Sequence, residues 1–189
     1  MTPARVLLLP GWQNSGPGHW QSRWEALHGF ERLEQDDWLW PRRGDWMAVL
    51  EDTLLADDRP ALLVAHSLGC HLVAAWASHS RHTTRVAGAL LVAPPDVERA
   101  DLPPQVQTWA PMHRQPLPFV TTAVLSADDP FGDAAHGLQL AAAWGSEIVS
   151  LGAAGHVNAD SGLGDWPEGI ALLQALANRA GLSLDATAG

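Results

Sequence analysis

Residues 61–69 read ALLVAHSLG, and this stretch decides the fold that the sequence predicts. The apolar run 61–65 is typical of a buried strand, and residues 68–78, rich in alanine, are typical of a helix. Ser67, in the turn between them, matches a nucleophile elbow, in which a tight turn exposes the hydroxyl group. Ala65 and Gly69 supply the small residues that such a turn needs, although alanine replaces the usual first glycine. In the alternative interpretation Ser67 only caps the helix, which would not require small residues on both sides.

Short apolar runs alternate with segments of helical spacing along the rest of the chain. The predicted strands cover residues 5–9, 31–35, 61–65, 86–93, 119–125 and 147–151. The predicted helices cover residues 19–28, 45–56, 68–78, 133–144 and 167–180. Because apolar strands that alternate with helices are typical of a covered parallel sheet, we expect an α/β fold with about six mostly parallel strands and helices on both faces.

The length of 189 residues fits one domain with a substantial core. We expect this domain to cover residues 1–181 and a short tail to cover residues 182–189. The proline-rich segment 94–118 has little periodicity, so we expect it to cross the sheet edge or to cap the functional site.

The charge balance argues against two classes of partner. The chain has 11 Lys and Arg against 21 Asp and Glu, a formal net charge of -10, and it has no basic stripe. Nucleic acids and anionic membranes attract clustered cations, so neither partner is expected. Cys70 is the only cysteine, which excludes an intramolecular disulfide and favours a reducing compartment. Since no apolar stretch has the length of a membrane span, we expect a cytoplasmic protein.

Two further groups that a serine nucleophile needs follow later predicted strands. His156 lies in the loop after the last strand, where its imidazole could take the proton of the serine. Asp128 and Asp129 follow the strand 119–125, and either carboxylate could orient that imidazole. The order serine, aspartate, histidine along the chain is the order found in α/β-hydrolases. Spacing alone leaves both aspartates open, and each could instead cap a turn before Pro130.

The turn after the first strand is a candidate for half of an oxyanion hole. One donor is expected to be the backbone amide of Leu68, the residue after the serine. The other is expected to be the amide of Trp12, because Gly11 lets the backbone approach closely and the indole ring can wall the pocket. In the alternative interpretation residues 10–11 form only a turn.

Several motifs together resemble one family, the small serine hydrolases of the retinoblastoma-binding protein nine type and their bacterial YdeN-like relatives. The resemblance covers nearly the whole chain and is carried by Leu9-Pro10-Gly11-Trp12, Gly16-Pro17-Gly18-His19-Trp20-Gln21-Ser22-Arg23-Trp24-Glu25, Ala65-His66-Ser67-Leu68-Gly69, Ser126-Ala127-Asp128-Asp129-Pro130-Phe131, Trp144-Gly145-Ser146, Gly155-His156-Val157-Asn158 and Ser161-Gly162-Leu163-Gly164-Asp165-Trp166-Pro167. It implies a three-layer α/β-hydrolase fold without a large lid. It also implies a triad of Ser67, Asp129 and His156, in which motif position favours Asp129 over Asp128.

The predicted reaction is hydrolysis of a small ester, thioester or amide through an acyl-enzyme on Ser67, without a metal or an organic cofactor. The expected partner is therefore a small-molecule acyl substrate, and the oligomeric state is left open. Two alternatives remain, namely acyl transfer by the same triad and a binding protein that keeps the fold without activity. His19 and Trp20 are expected either to line the acyl pocket or to brace the loop before the first helix.

Overall fold

A computed structural model describes residues 2–184, in which seven strands form one sheet flanked by six α-helices. The strands are β1 (Thr2–Leu9), β2 (Glu31–Arg32), β3 (Ala61–His66), β4 (Val86–Val92), β5 (Val120–Leu125), β6 (Glu147–Ser150) and β7 (Leu182–Leu184). The helices are α1 (Trp20–His28), α2 (Arg43–Leu55), α3 (Leu68–His79), α4 (Pro104–Gln107), α5 (Ala134–Trp144) and α6 (Pro167–Arg179). This architecture confirms the predicted fold class.

The strand order decides which loops meet. The order is β2-β1-β3-β4-β5-β6, with β7 paired to the beginning of β1, and every pair is parallel. Leu9 at the end of β1 is level with Ala65 of β3, and His66 is level with Val92 of β4. The turns that follow these three strands therefore emerge at one edge of the sheet, where open α/β sheets bind ligands.

Two apolar layers cover the sheet, one on each face. Leu7 of β1 and Leu63 of β3 pack in one layer with helices α2, α3 and α5. The neighbouring Leu8 and Leu62 pack in the other layer with helices α1 and α6. Because successive side chains of a strand point to opposite faces, burial on both faces explains why these strands are apolar without a break. Among residues 2–184, no helix is long and apolar enough to cross a membrane.

Buried tryptophans attach several loops to the core. Their rings are packed in the interior while an indole N–H still needs an acceptor. Trp20 donates to the backbone carbonyl of Val157 over 2.8 Å, and Trp109 donates to that of Pro41 over 2.7 Å. The first of these bonds holds the residue that directly follows His156, so the core positions the loop of a candidate catalytic side chain.

Among the predicted boundaries that differ from the structure, two are explained by strand pairing. The expected strand 31–35 is only two residues long, because β2 pairs with Leu7 and Leu8 of β1 alone. At the other end, Leu182–Leu184 pair with β1, so the sheet extends three residues into the predicted tail of residues 182–189. The remainder of that tail, residues 185–189, lies outside the described residues.

Candidate active site

Ser67 adopts the strained backbone conformation of a tight turn between β3 and α3. Its φ of 54° and ψ of -122° lie in a region that non-glycine residues rarely occupy. The turn is held from both sides, since the Ser67 amide donates to the Val92 carbonyl and the Cys70 amide donates to the Ser67 carbonyl, each over 2.9 Å. Such strain persists where the surrounding structure imposes it, and it is common at functional sites.

Two glycines allow other backbone segments to approach this turn. A Cβ atom at Gly69 would lie 2.3 Å from the carbonyl oxygen of Leu9, so no side chain fits there. A Cβ atom at Gly11 would lie 2.9 Å from the Cβ of Ser67 and 3.1 Å from the Leu68 nitrogen. The loop after β1 thus lies directly against the elbow. At the remaining small position, two residues before the serine, the elbow accommodates the methyl group of Ala65.

His156 bridges Ser67 and Asp129. Its Nε2 atom lies 2.8 Å from Ser67 Oγ, and its Nδ1 atom lies 2.9 Å from each carboxylate oxygen of Asp129. With Nδ1–H donating to the carboxylate, Nε2 is left to accept the hydroxyl proton of the serine. The side chains of His156 and Asp129 are 10% and 4% exposed, so the pair is shielded from bulk water.

Asp129 and the histidine ring are themselves held in place. The Phe131 amide donates to Asp129 Oδ1 over 2.9 Å. The Phe131 ring packs edge-on against His156, with ring centres 4.5 Å apart. The residue two positions after Asp129 therefore orients both the carboxylate and the imidazole.

Asp128 has a different environment from Asp129. Its Oδ1 atom accepts hydrogen bonds from the Gly155 amide over 2.8 Å and from Ser126 Oγ over 2.9 Å. The amide of Gly155, followed by the hydroxyl of Ser126, lowers the pKa of this carboxyl group. Asp128 thus braces the loop before His156, and of the two aspartates it is Asp129 that hydrogen-bonds to the imidazole.

His66 supports the histidine loop in a way that the sequence did not reveal. Its Nε2 atom lies 2.8 Å from the backbone carbonyl oxygen of His156, and because a carbonyl only accepts, Nε2 carries the proton. Burial, followed by the charges of His19 and His156, lowers the pKa of His66 well below the usual value. The residue before the serine is therefore a neutral donor that holds the backbone of His156.

The amides of Leu68 and Trp12 are the candidate oxyanion donors. Neither amide donates a hydrogen bond to another residue of the described range 2–184. The Trp12 loop is fixed by its neighbours, since the Gln13 amide donates to the Trp38 carbonyl over 3.0 Å and the Trp12 indole donates to the Leu39 carbonyl over 3.0 Å. Leu68 and Trp12 both line the cavity that contains the serine, where a donor to a substrate oxygen would have to lie.

A cavity of about 330 Å³ opens over the serine and the histidine. The segment 94–118, which was expected to cross the sheet edge or cap the site, supplies an apolar wall of Pro95, Leu102, Pro103 and Val106. Polar residues, among them Asn14, His19 and Asn158, also line the cavity. Within the described part of the chain, the residues that line the cavity include no Asp, Glu, Lys or Arg. Among residues 2–184, no three His, Cys, Asp or Glu side chains are grouped as metal ligands.

The comparison with known families decides the class of the protein. A model of the serine hydrolase family matches residues 6–175. The chain belongs to the serine hydrolase family. This serine hydrolase therefore has the fold and the general activity of an α/β-hydrolase. No curated protein matches it in sequence.

Solved structures relate this serine hydrolase to YdeN-like proteins. A protein from Pectobacterium atrosepticum described as a YdeN-like hydrolase is 28% identical, with a TM-score of 0.83 over 94% of this chain and 92% of that one. The ydeN gene product of Bacillus subtilis is 20% identical, with a TM-score of 0.69 over 92% and 98% of the two chains. A thermophilic esterase from Thermogutta terrifontis shares the fold at 17% identity, with a TM-score of 0.63 over 95% and 91%. The resemblance to YdeN-like serine hydrolases is thus confirmed.

Proposed function

We propose that this serine hydrolase cleaves small, uncharged esters, thioesters or amides through an acyl-enzyme on Ser67. The observation that carries the proposal is the distance of 2.8 Å between Ser67 Oγ and His156 Nε2, on a ring whose other nitrogen faces Asp129. A serine hydroxyl is a weak nucleophile until a base takes its proton, and this arrangement supplies the base and the group that orients it.

The proposed reaction has two halves. His156 Nε2 takes the hydroxyl proton while Ser67 Oγ attacks the carbonyl carbon of the substrate, and the Leu68 and Trp12 amides donate to the resulting oxyanion. The imidazolium, stabilised by Asp129, then gives its proton to the leaving group, and the acyl-enzyme remains. In the second half a water molecule loses a proton to Nε2 and attacks the acyl carbon, after which the proton returns to Ser67 Oγ and the acid leaves.

The lining of the cavity supports a preference for uncharged substrates. A charged group that enters a cavity without a partner charge loses its hydration and gains no ion pair in return. The apolar wall of Leu102, Pro103 and Val106 favours an alkyl acyl group. The cavity volume of about 330 Å³ matches a group of short or medium length.

Labelling with a fluorophosphonate, together with hydrolysis of para-nitrophenyl acetate, tests the proposal. The wild type is expected to be labelled and to release nitrophenol, and Ser67→Ala is expected to do neither. Ser78→Ala serves as the matched control, because Ser78 is an exposed serine near the other end of the same helix. Labelling of Ser67→Ala to the same extent as the wild type would refute the assignment of Ser67 as the nucleophile. A wild type inert towards both reagents would favour a binding protein, and ester products formed with an added alcohol would favour acyl transfer.

A further inference from the structure

His19, at the start of helix α1, has one ring nitrogen whose role is known from its contacts. Nδ1 accepts a hydrogen bond from the Gln21 amide over 3.1 Å, which caps the helix. Burial, followed by the charges of Arg32 and His156, lowers the pKa of His19 to about 4, so the ring is neutral at neutral pH. A neutral imidazole whose Nδ1 accepts must carry its proton on Nε2.

The Nε2–H group of His19 has no acceptor among residues 2–184. The residue is 4% exposed, and its Nε2 is a buried nitrogen without a hydrogen-bond partner in this part of the chain. Buried donors are nearly always paired in folded proteins, and an unpaired one costs free energy. This donor therefore needs an explanation that its role as a helix cap does not provide.

The position of His19 suggests where the acceptor comes from. The residue lines the same cavity as Ser67 and His156. Its ring packs edge-on against His66, with ring centres 4.6 Å apart, and is tilted against Trp20 at 5.2 Å. An unpaired donor in a residue that lines a cavity can gain a partner when a ligand fills that cavity, without first having to give one up.

We propose that Nε2–H of His19 donates a hydrogen bond to an oxygen atom of the bound substrate, which makes His19 a specificity-determining residue. The inference rests on the proposed hydrolysis at Ser67. It predicts that the enzyme favours substrates with an ether, hydroxyl or carbonyl oxygen beside the scissile group over substrates that have a methylene there. A site built around a buried donor rejects the analogue that leaves the donor unpaired.

Two isosteric substrate pairs test this preference. On the acyl side, para-nitrophenyl methoxyacetate is compared with para-nitrophenyl butyrate, and on the alcohol side methoxyethyl acetate is compared with butyl acetate. Each pair differs by an oxygen in place of a methylene. The kcat/KM ratio within a pair is measured for the wild type, His19→Asn and His19→Ser. Asn and Ser are good helix caps, so both variants are expected to stay folded. Neither side chain is long enough to place a donor at the position of Nε2.

We expect the ratio of ether to alkyl substrate to fall about three- to tenfold in both variants for at least one pair, the range of a single neutral hydrogen bond. Comparing each variant with the wild type cancels the intrinsic reactivity of the two esters. Val106→Ala is the control for a change of cavity shape, because it removes part of the apolar wall that favours the alkyl substrate and should therefore raise the ratio rather than lower it.

The failure of this inference can be told apart from the failure of the proposed function. If His19→Asn and His19→Ser melt like the wild type and keep its ratio for both pairs, His19 is only a helix cap and the inference is overturned. If the wild type hydrolyses none of the four esters and resists the fluorophosphonate, the proposed function fails and the inference fails with it.

Discussion

Replacing Asp129 by Asn is expected to lower kcat about 10⁴-fold, the loss seen when the aspartate of a serine protease triad is changed in this way. The structure gives the reason. Asp129 Oδ1 accepts from the Phe131 amide, and both carboxylate oxygens lie 2.9 Å from His156 Nδ1. In the variant the amide oxygen keeps the Phe131 bond and the NH₂ group takes the place of Oδ2 beside Nδ1. Because a protonated Nδ1 would then face the donor NH₂ group, the NH₂ group instead donates to an unprotonated Nδ1. The ring proton then moves to Nε2, which can no longer take the proton of Ser67.

Asp128→Asn is the matched control for this prediction. The neighbouring carboxylate holds the Gly155 amide and Ser126 Oγ through one oxygen atom, Oδ1. An amide oxygen can accept both of these bonds, so the loop before His156 should keep its position. We expect kcat of Asp128→Asn to stay within about fivefold of the wild type, since the loop loses a charge and no hydrogen bond.

The assay is the rate of para-nitrophenyl acetate hydrolysis for the two variants and the wild type, with thermal melting as the test of folding. An Asp129→Asn variant that keeps more than about a tenth of the wild-type kcat would refute a role far larger than that of one hydrogen bond. A loss in Asp128→Asn as large as that in Asp129→Asn would show that the two aspartates act together and would refute the division of roles.

Two further predictions concern the stability of the fold. Gly69→Ala brings a methyl group to 2.3 Å from the Leu9 carbonyl oxygen, and we expect it to lower the free energy of unfolding, measured in urea, by about 1–3 kcal/mol. The control is Gly16→Ala, because a Cβ atom added at Gly16 meets nothing within 4 Å. Equal stability of the two variants would contradict the reasoning. Burial lowers the pKa of His19 and of His71 to about 4. Between pH 6.5 and 4 the unfolded chain therefore binds more protons than the folded one. As the pH is lowered through this range, the free energy of unfolding should decrease by up to about 1.4 kcal/mol per pH unit for each histidine. A urea midpoint that stays constant from pH 7 to pH 5 would argue against these two neutral histidines.

The elbow was predictable because its determinants are local. An apolar strand, a serine with small neighbours and an alanine-rich helix follow one another within residues 61–78, and the structure forms β3, the turn and α3 there. The short β7 was not predictable, because Leu182–Leu184 are recognisable as a strand only through their pairing with β1. The two-residue strand β2 likewise depends on how much of the edge of β1 is available to it.

The sequence by itself determined the alternation of strands and helices, and it placed a serine, two aspartates and a histidine after the third, fifth and sixth predicted strands. Only the tertiary structure decided that Asp129 contacts the imidazole of His156, 27 residues away in the chain, and that Asp128 instead holds the loop. It also decided that His66 holds the backbone of His156, and that His19, which lines the cavity, has a donor without a partner among the described residues. The physical reason is that hydrophobic periodicity and turn chemistry act within a segment, whereas the direction of a side chain at the end of a strand depends on distant packing.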